Sequence, residues 1–256
     1  MTETTVVTDG MPPITLDELV ERASLMTRVD HKYILSPAEL PSLVGALAVE
    51  ARVLETAGAR DFAYRSVYFD TPRMDAYLGA AHRRRRRFKV RIRRYTDSDR
   101  HFVEVKRPGH RGATVKERIP YTGADHELDA EAAAFVDHVL SAAGVTRSST
   151  RLLPSLTTHY RRTTLYIPST GSRVTLDTDL TWGLPDGTTR HVPDRVIVET
   201  KTDRTASPVD RLLWSLGHRP HPISKYCTGL ALLRPELPSN RWHAVLRRHF
   251  PATGPS

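Results

Sequence analysis

The segment Arg83–Tyr95, RRRRRFKVRIRRY, packs nine arginine or lysine residues into thirteen positions and interleaves them with Phe88, Val90 and Ile92. Successive side chains of a strand point to opposite faces, so Lys89, Arg91 and Arg93 share one face while Phe88, Val90 and Ile92 share the other. The same sorting recurs at Glu104 and Lys106 against Val103 and Val105, at Lys116 and Arg118 against Val115 and Ile119, and at Glu199 and Lys201 against Val196 and Val198. Any one of these strands is accounted for by an antiparallel sheet with its apolar face on a core and its charged face in water. Together they ask for more, because their ionic faces are mainly Lys and Arg, and like charges on adjacent strands repel until an anion neutralises them. A sheet closed into a barrel turns such faces inward around a polar tunnel and leaves the apolar faces outside for helices to cover.

Period-two alternation predicts strands over 65–70, 85–95, 101–107, 113–120, 156–167, 173–180 and 195–201. Capping boxes at Thr15/Glu18 and Ser36/Glu39 predict helices over 16–26 and 37–49; Pro41, which has no N–H to donate, leaves the start of the second open. Further helices are expected over 127–143 with Gly144 as the stop, from Ser207 to Gly217, over 224–233 and over 239–249. The expectation is an α+β chain: one domain over 14–250, between flexible tails 1–13 and 251–256.

A net charge of +9 over 256 residues points to an anionic partner: nucleic acid, a membrane surface or a polyphosphorylated molecule. Nucleic-acid modules pair basic residues with exposed aromatics or a docking motif; aromatics make up 7% of the chain, and no nucleic-acid partner is expected. Neither a phosphate-cradling G-x-x-x-x-G-K-[ST] loop nor a G-x-G-x-x-G turn occurs, which disfavours P-loop and dinucleotide folds. Cys227 is the single cysteine, so an internal disulfide is excluded and a buried, inert thiol expected. No apolar run approaches the roughly 18 residues of a membrane span, and MTETTVVTDG has no signal-peptide core, so the chain is expected to be cytoplasmic and not membrane-spanning.

Nine segments, in order RVDHKYIL, YRSVYFDTP, FKVRIRRY, FVEVKRPG, VKERIPY, HYRRTTLYI, SRVTLDTDL, VIVETKT and ISKYCTGLALL, resemble the VTC domain. That domain is the polyphosphate polymerase module of the vacuolar transporter chaperone complex, in the CYTH-like superfamily of triphosphate tunnel metalloenzymes. The resemblance runs from about Arg28 to Leu233. It implies an antiparallel β-barrel tunnel with a basic interior, flanked by helices. It also implies an ATP-dependent phosphotransferase that moves the terminal phosphate of ATP onto a polyphosphate chain. The implied phosphate ligands are Lys32, Lys89, Arg91, Arg93, Lys106, Lys116, Arg118, Arg162, Arg173, Lys201 and Lys225. Arg162 is preferred to Arg161 because it shares a face with Tyr160. Glu199 is the implied metal ligand, for Mg²⁺ or Mn²⁺, and the implied partners are ATP and polyphosphate; regulatory or membrane partner proteins cannot be inferred.

The alternatives are an inorganic tri- or polyphosphatase of the same fold and a non-catalytic polyphosphate or inositol-phosphate binder. Many tunnel triphosphatases begin with E-x-E-x-K; the matching stretch here is Arg28-Val29-Asp30-His31-Lys32, which counts against a two-metal hydrolytic site. An inward Glu199 counts against a pure anion receptor. Asp70 and Asp177 are expected to pair with a tunnel arginine, and His218 and His221 to be loop residues rather than ligands. The first residues of the run Arg83–Arg87 are left open between an exposed loop and the start of the strand.

Overall fold

The computed structural model describes residues 4–22, 29–109, 114–202 and 206–251. In chain order the strands are β1 (Pro13–Ile14), β2 (Val29–Leu35), β3 (Arg52–Leu54), β4 (Asp61–Asp70), β5 (Lys89–Tyr95), β6 (Arg100–Pro108), β7 (Thr114–Tyr121), β8 (Leu153–Ile167), β9 (Ser172–Gly183), β10 (Thr189–Val192) and β11 (Val196–Thr202). The seven alternating segments become β4 to β9 and β11, and four strands not expected from alternation, β1, β2, β3 and β10, join them. The helices are α1 (Leu16–Arg22), α2 (Leu40–Leu47), α3 (Asp75–Ala81), α4 (Ala130–Ala142), α5 (Pro208–Ser215), α6 (Lys225–Leu233) and α7 (His243–His249). None is long and apolar enough to cross a membrane.

The strand order is β2-β11-β9-β8-β4-β5-β6-β7, with β1 pairing in parallel with β3, β3 also pairing β8, and β10 pairing β9. This order has two ends, and among the described residues no hydrogen-bonded ladder joins β2 to β7. The closed barrel expected from the sequence is therefore corrected to an open antiparallel sheet with helices. Alternation demands only that each strand have one apolar and one ionic face, a demand that an open sheet covered on one face also meets.

The chain divides into two compact units, the first Met1–Ala63, Tyr160–Leu180 and His191–Pro222, the second Tyr64–His159, Thr181–Arg190 and Ile223–Ser256. In the first, Tyr33 and Leu35 of β2, Val196 and Val198 of β11, and Val174 and Leu176 of β9 form a core with Leu40, Leu43, Val44 and Leu47 of α2 and Val209 and Leu213 of α5. Asp210, fully buried, locks α5 to this sheet. It closes the capping box with Ser207 and accepts hydrogen bonds from Tyr33 Oη at 2.7 Å and Thr200 Oγ1 at 2.6 Å, with His31 Nδ1 at 3.2 Å. Burial works to raise its pKa, and the donors from Thr200, Tyr33 and Ser207 outweigh it.

In the second unit, Val67, Phe69, Val90, Ile92, Val103 and Val105 are all buried, as are Ala132, Val136, Val139 and Leu140 of α4, which packs on β6 and β7. Helix α6 settles on Trp182: the indole Nε1 donates to Lys225 O at 2.8 Å, and a Cβ added at Gly229 would fall 2.3 Å from the indole Cδ1. Only glycine admits so close an approach.

Several boundaries moved for local reasons. The helix expected over 37–49 splits into a 3-10 turn over Pro37–Glu39 and α2 from Leu40, where Pro41 falls at the first turn and its missing N–H is harmless. The strand expected from residue 85 starts at Lys89, because Arg83 takes a left-handed conformation (φ 53°) and Arg84–Arg87 form an ordered turn. Helix α3, absent from the sequence-based expectation, is started from afar: the Asp70 carboxylate accepts from Ala76 N at 2.8 Å and Tyr77 N at 2.9 Å. The end of the helix expected over 16–26, Arg28, the strand start at Ala113, and residues 1–3 and 252–256 of the expected tails lie outside the described residues, while Val6, Thr8 and Met11 of the expected N-terminal tail are buried.

Candidate functional site

The implied ligands fall into two groups, one in each unit. In the first unit the register of β2, β11 and β9 sets Lys32 opposite Glu199, Asp30 opposite Lys201, and Lys201 opposite Arg173. Directly opposed residues share a face, so Asp30, Lys32, Glu199, Lys201, Arg173 and Asp177 lie together while Tyr33, Val198 and Leu176 point into the core. Lys201 Nζ lies 2.7 Å from Glu199 Oε1, and Lys32 Nζ lies 3.9 Å from the same oxygen. Arg162 on β8 grips Asp177 with two hydrogen bonds of 2.6 and 2.8 Å and lies 5.3 Å above the Tyr160 ring. Arg161 faces away and pairs with Asp61. The parity that separated the two arginines therefore holds, and Asp177 pairs as expected.

Burial pushes the Glu199 carboxyl up, but Lys201, Lys32 and Arg162 outweigh it and hold the group well below the ordinary carboxylate range. Burial pulls Lys201 down to about 8, against the opposing pull of Glu199. Both effects follow from charges held out of water at close range.

In the second unit the ionic face is denser. Along β5, β6 and β7, Lys89 stands opposite Lys106, Lys106 opposite Lys116, Arg91 opposite Glu104 and Glu104 opposite Arg118, while Arg93 follows Arg91 on the same face. With Arg100 at the start of β6, seven cations thus share the face of these strands with one carboxylate, Glu104. Glu104 is fully buried and binds Arg91 through Oε2, at 2.8 Å from Nε and 2.5 Å from NH2, while Lys116 Nζ lies 3.6 Å from Oε1. Burial would raise its pKa; Arg91, Arg93, Lys106 and Lys116 drive it far below the usual range. Arg93 Nε is 3.4 Å from Ser66 Oγ with its guanidinium 5.4 Å from the Tyr64 ring centroid, and Arg118 covers Phe102 at 4.5 Å. Lys89 donates to Ser224 Oγ at 2.8 Å, at the cap of α6, beside Lys225 at the first position of that helix.

Tyr68, missed in the sequence, belongs to this group. It stands opposite Arg91 and accepts a hydrogen bond from Arg91 NH1 at 3.0 Å. Burial raises its phenol pKa, yet Arg91, Arg93 and Lys89 bring it below the ordinary tyrosine value. Its signal was present, since it alternates with Val67 and Phe69 in YRSVYFD. Tyr68 also stacks on Tyr226 at 4.8 Å, and Tyr226 Oη donates to Asp70 at 2.6 Å. The expectation that Asp70 pairs with an arginine is thereby corrected: three backbone N–H groups and a phenol satisfy it, and burial raises its pKa. His218 sits beyond α5 with Nε2 3.2 Å from Glu39 Oε1, a loop residue as expected.

Among the described residues no three His, Cys, Asp or Glu side chains gather as a metal cage. Glu199 nonetheless suits a hard divalent ion, since Mg²⁺ takes one or two carboxylates and completes its shell with substrate phosphates and water.

No curated protein matches the chain. Among solved structures it is similar to the Hippeastrum protein HpAC1, described as revealing a dominant triphosphatase activity (17% identity, TM-score 0.46, covering 84% of this chain and 100% of that one). It is also similar to a Bacillus halodurans protein put forward as an adenylate cyclase (12%, TM-score 0.43, 90% and 95%) and to a conserved hypothetical protein from Pyrococcus furiosus (14%, TM-score 0.43, 77% and 97%). The family model of the VTC domain matches residues 27–234, most of the chain and the whole span of the nine motifs. The chain belongs to the VTC domain family.

Proposed function

We propose that the protein is a polyphosphate polymerase-like phosphotransferase that moves the terminal phosphate of ATP onto a polyphosphate chain. The observation that carries this reading is the β5–β7 face, where Lys89, Arg91, Arg93, Lys106, Lys116 and Arg118 surround a single carboxylate. So large a surplus of fixed cations repels itself and attracts a polyanion, and family membership supports a phosphate chain as that polyanion.

Charge on a transferring phosphoryl group spreads over its oxygens, so positioned cations are the main catalytic resource. The arginines grip phosphate oxygens through paired N–H donors, and the lysines act as point charges. The nucleophile is the ionised terminal oxygen of the chain. It forms a bond to the γ-phosphorus of ATP as the bond from that phosphorus to the β–γ bridging oxygen breaks, and ADP leaves with the electron pair. No proton needs removing, which suits a face without a general base. A divalent ion on Glu199 supplies neutralisation of phosphate oxygens when bound. Glu199 is kept ionised for it by Lys201, Lys32 and Arg162.

A second reading, a tri- or polyphosphatase, is favoured by Asp30, a second carboxylate on the Glu199 face directly opposite Lys201. Incubation with ATP and Mn²⁺ or Mg²⁺ separates the two: acid-insoluble phosphate polymer and ADP are expected, and orthophosphate without polymer would establish the hydrolase.

A further inference from the structure

The run Arg83–Arg87 is not part of the β5 face, yet it is placed with care. Leaving α3, Arg83 N donates to Ala80 O at 3.2 Å and Arg84 N to Gly79 O at 2.8 Å, and Arg87 NH1 returns to Arg84 O at 3.1 Å. Arg241 joins the same turn, donating to Ala80 O at 2.8 Å. Burial, then repulsion from Arg87 and Arg83, lowers the pKa of Arg241. The Arg86 guanidinium lies against Gly144, 3.4 Å from where its Cβ would be. Arg83 to Arg86 are exposed, and among the described residues no carboxylate pairs with any of Arg83–Arg87. A fixed turn with this much unbalanced charge attracts an external anion.

We propose that this turn is a second polyanion site, which holds the part of a long polyphosphate chain that extends beyond the β5 face. The inference rests on the reading of the protein as polyphosphate-handling. Two observations choose the ligand. The run ends two residues before Lys89, so a chain held on the β5 face reaches the turn without a gap in positive charge. The nearby large aromatics, Tyr77, Phe88 and Trp242, are all buried, so only the small ring of exposed His82 is left for nucleic-acid bases to stack on. A phosphate chain needs no such platform. The turn therefore discriminates by length: tripolyphosphate is too short to engage both places, and long chains gain affinity from the second.

The test is equilibrium binding of preformed chains, so it does not depend on catalysis. Arg83, Arg84, Arg85 and Arg86 are changed together to Gln, and in a second variant to Lys. The Gln variant is expected to keep tripolyphosphate affinity within about twofold and to bind chains of several tens of phosphates at least tenfold more weakly. Its salt slope for long chains should fall by roughly 0.7 for each phosphate no longer neutralised, as for single-stranded polyanions, and the Lys variant should restore binding. Equal affinity of wild type and Gln variant for long chains overturns the proposal, as does equal weakening for short and long ones. Single-stranded RNA bound as tightly as polyphosphate, and released by the Gln variant, would assign the turn to nucleic acid instead. Failure of the wild type to bind tripolyphosphate would count against the proposed function, and long-chain binding abolished only in the Gln variant would still report on the turn.

Discussion

Lys201 and Lys32 converge on one oxygen of Glu199, at 2.7 and 3.9 Å, so the carboxylate is kept ionised by the same cations that are expected to meet phosphate. Glu199→Gln preserves size and polarity while removing the charge that a metal requires. Turnover should collapse, while metal-free tripolyphosphate binding, measured by calorimetry, persists or strengthens because an anion near the ligand is gone. Near-normal metal-dependent activity would remove Glu199 from the metal site. Glu104 would then be the next carboxylate to test, since Arg91 takes its Oε2 while Oε1, 3.6 Å from Lys116, accepts no hydrogen bond among the described residues.

Arg91, Arg93 and Arg94 are close in sequence but differ in partners. Arg93→Ala should weaken tripolyphosphate binding by about 1.5–3 kcal/mol, the range for hydrogen bonds to charged groups. Arg94, on the other face and paired with Asp99 and Asp125, should matter little for binding. Arg91 is buried against Glu104 and Tyr68, so Arg91→Ala strands a buried carboxylate and should also cost about 3–5 kcal/mol of folding stability, read from urea denaturation. Equal binding losses at Arg93 and Arg94 would refute the division of faces.

Burial lowers the Lys116 pKa, with Glu104 opposing. The folded, unliganded protein therefore sheds this proton at lower pH than the unfolded chain does. Stability from this residue rises as pH climbs from the depressed folded value toward the ordinary lysine value of about 10.4. Anion binding has the opposite sign, because it needs the ammonium: tripolyphosphate affinity should fall over that same window. Lys116→Arg, charged throughout, should flatten the affinity profile; an unchanged profile would show that another group titrates.

The faces were legible in the sequence because period-two alternation is a local property, and Lys89, Arg91 and Arg93 could be sorted without knowing their neighbours. Partners were less legible. Asp70 looked like a candidate for an arginine, yet it serves a helix that begins five residues later and a phenol 156 residues away, for which no local pattern exists. Helix α3 was invisible for the same reason, since its cap is Asp70 rather than a residue at its own start. Strand β2 escaped the alternation test because Tyr33, Ile34 and Leu35 are buried in succession. Closure of the sheet was over-read, since sorting of charge is silent on whether the first and last strands meet.

The contact between Gly229 and Trp182 carries a consequence for how this family domain tolerates change. Lys225 and Ser224 are carried to Lys89 by the first turn of α6, and the depth at which that helix sits is set four residues further on by the thickness of one indole ring. A methyl group at Gly229 would push the helix outward and draw Ser224 away from Lys89 on the proposed phosphate-binding face with no charged residue altered. Sequence drift at an uncharged, buried position thus reaches the placement of a lysine that the proposed function depends on.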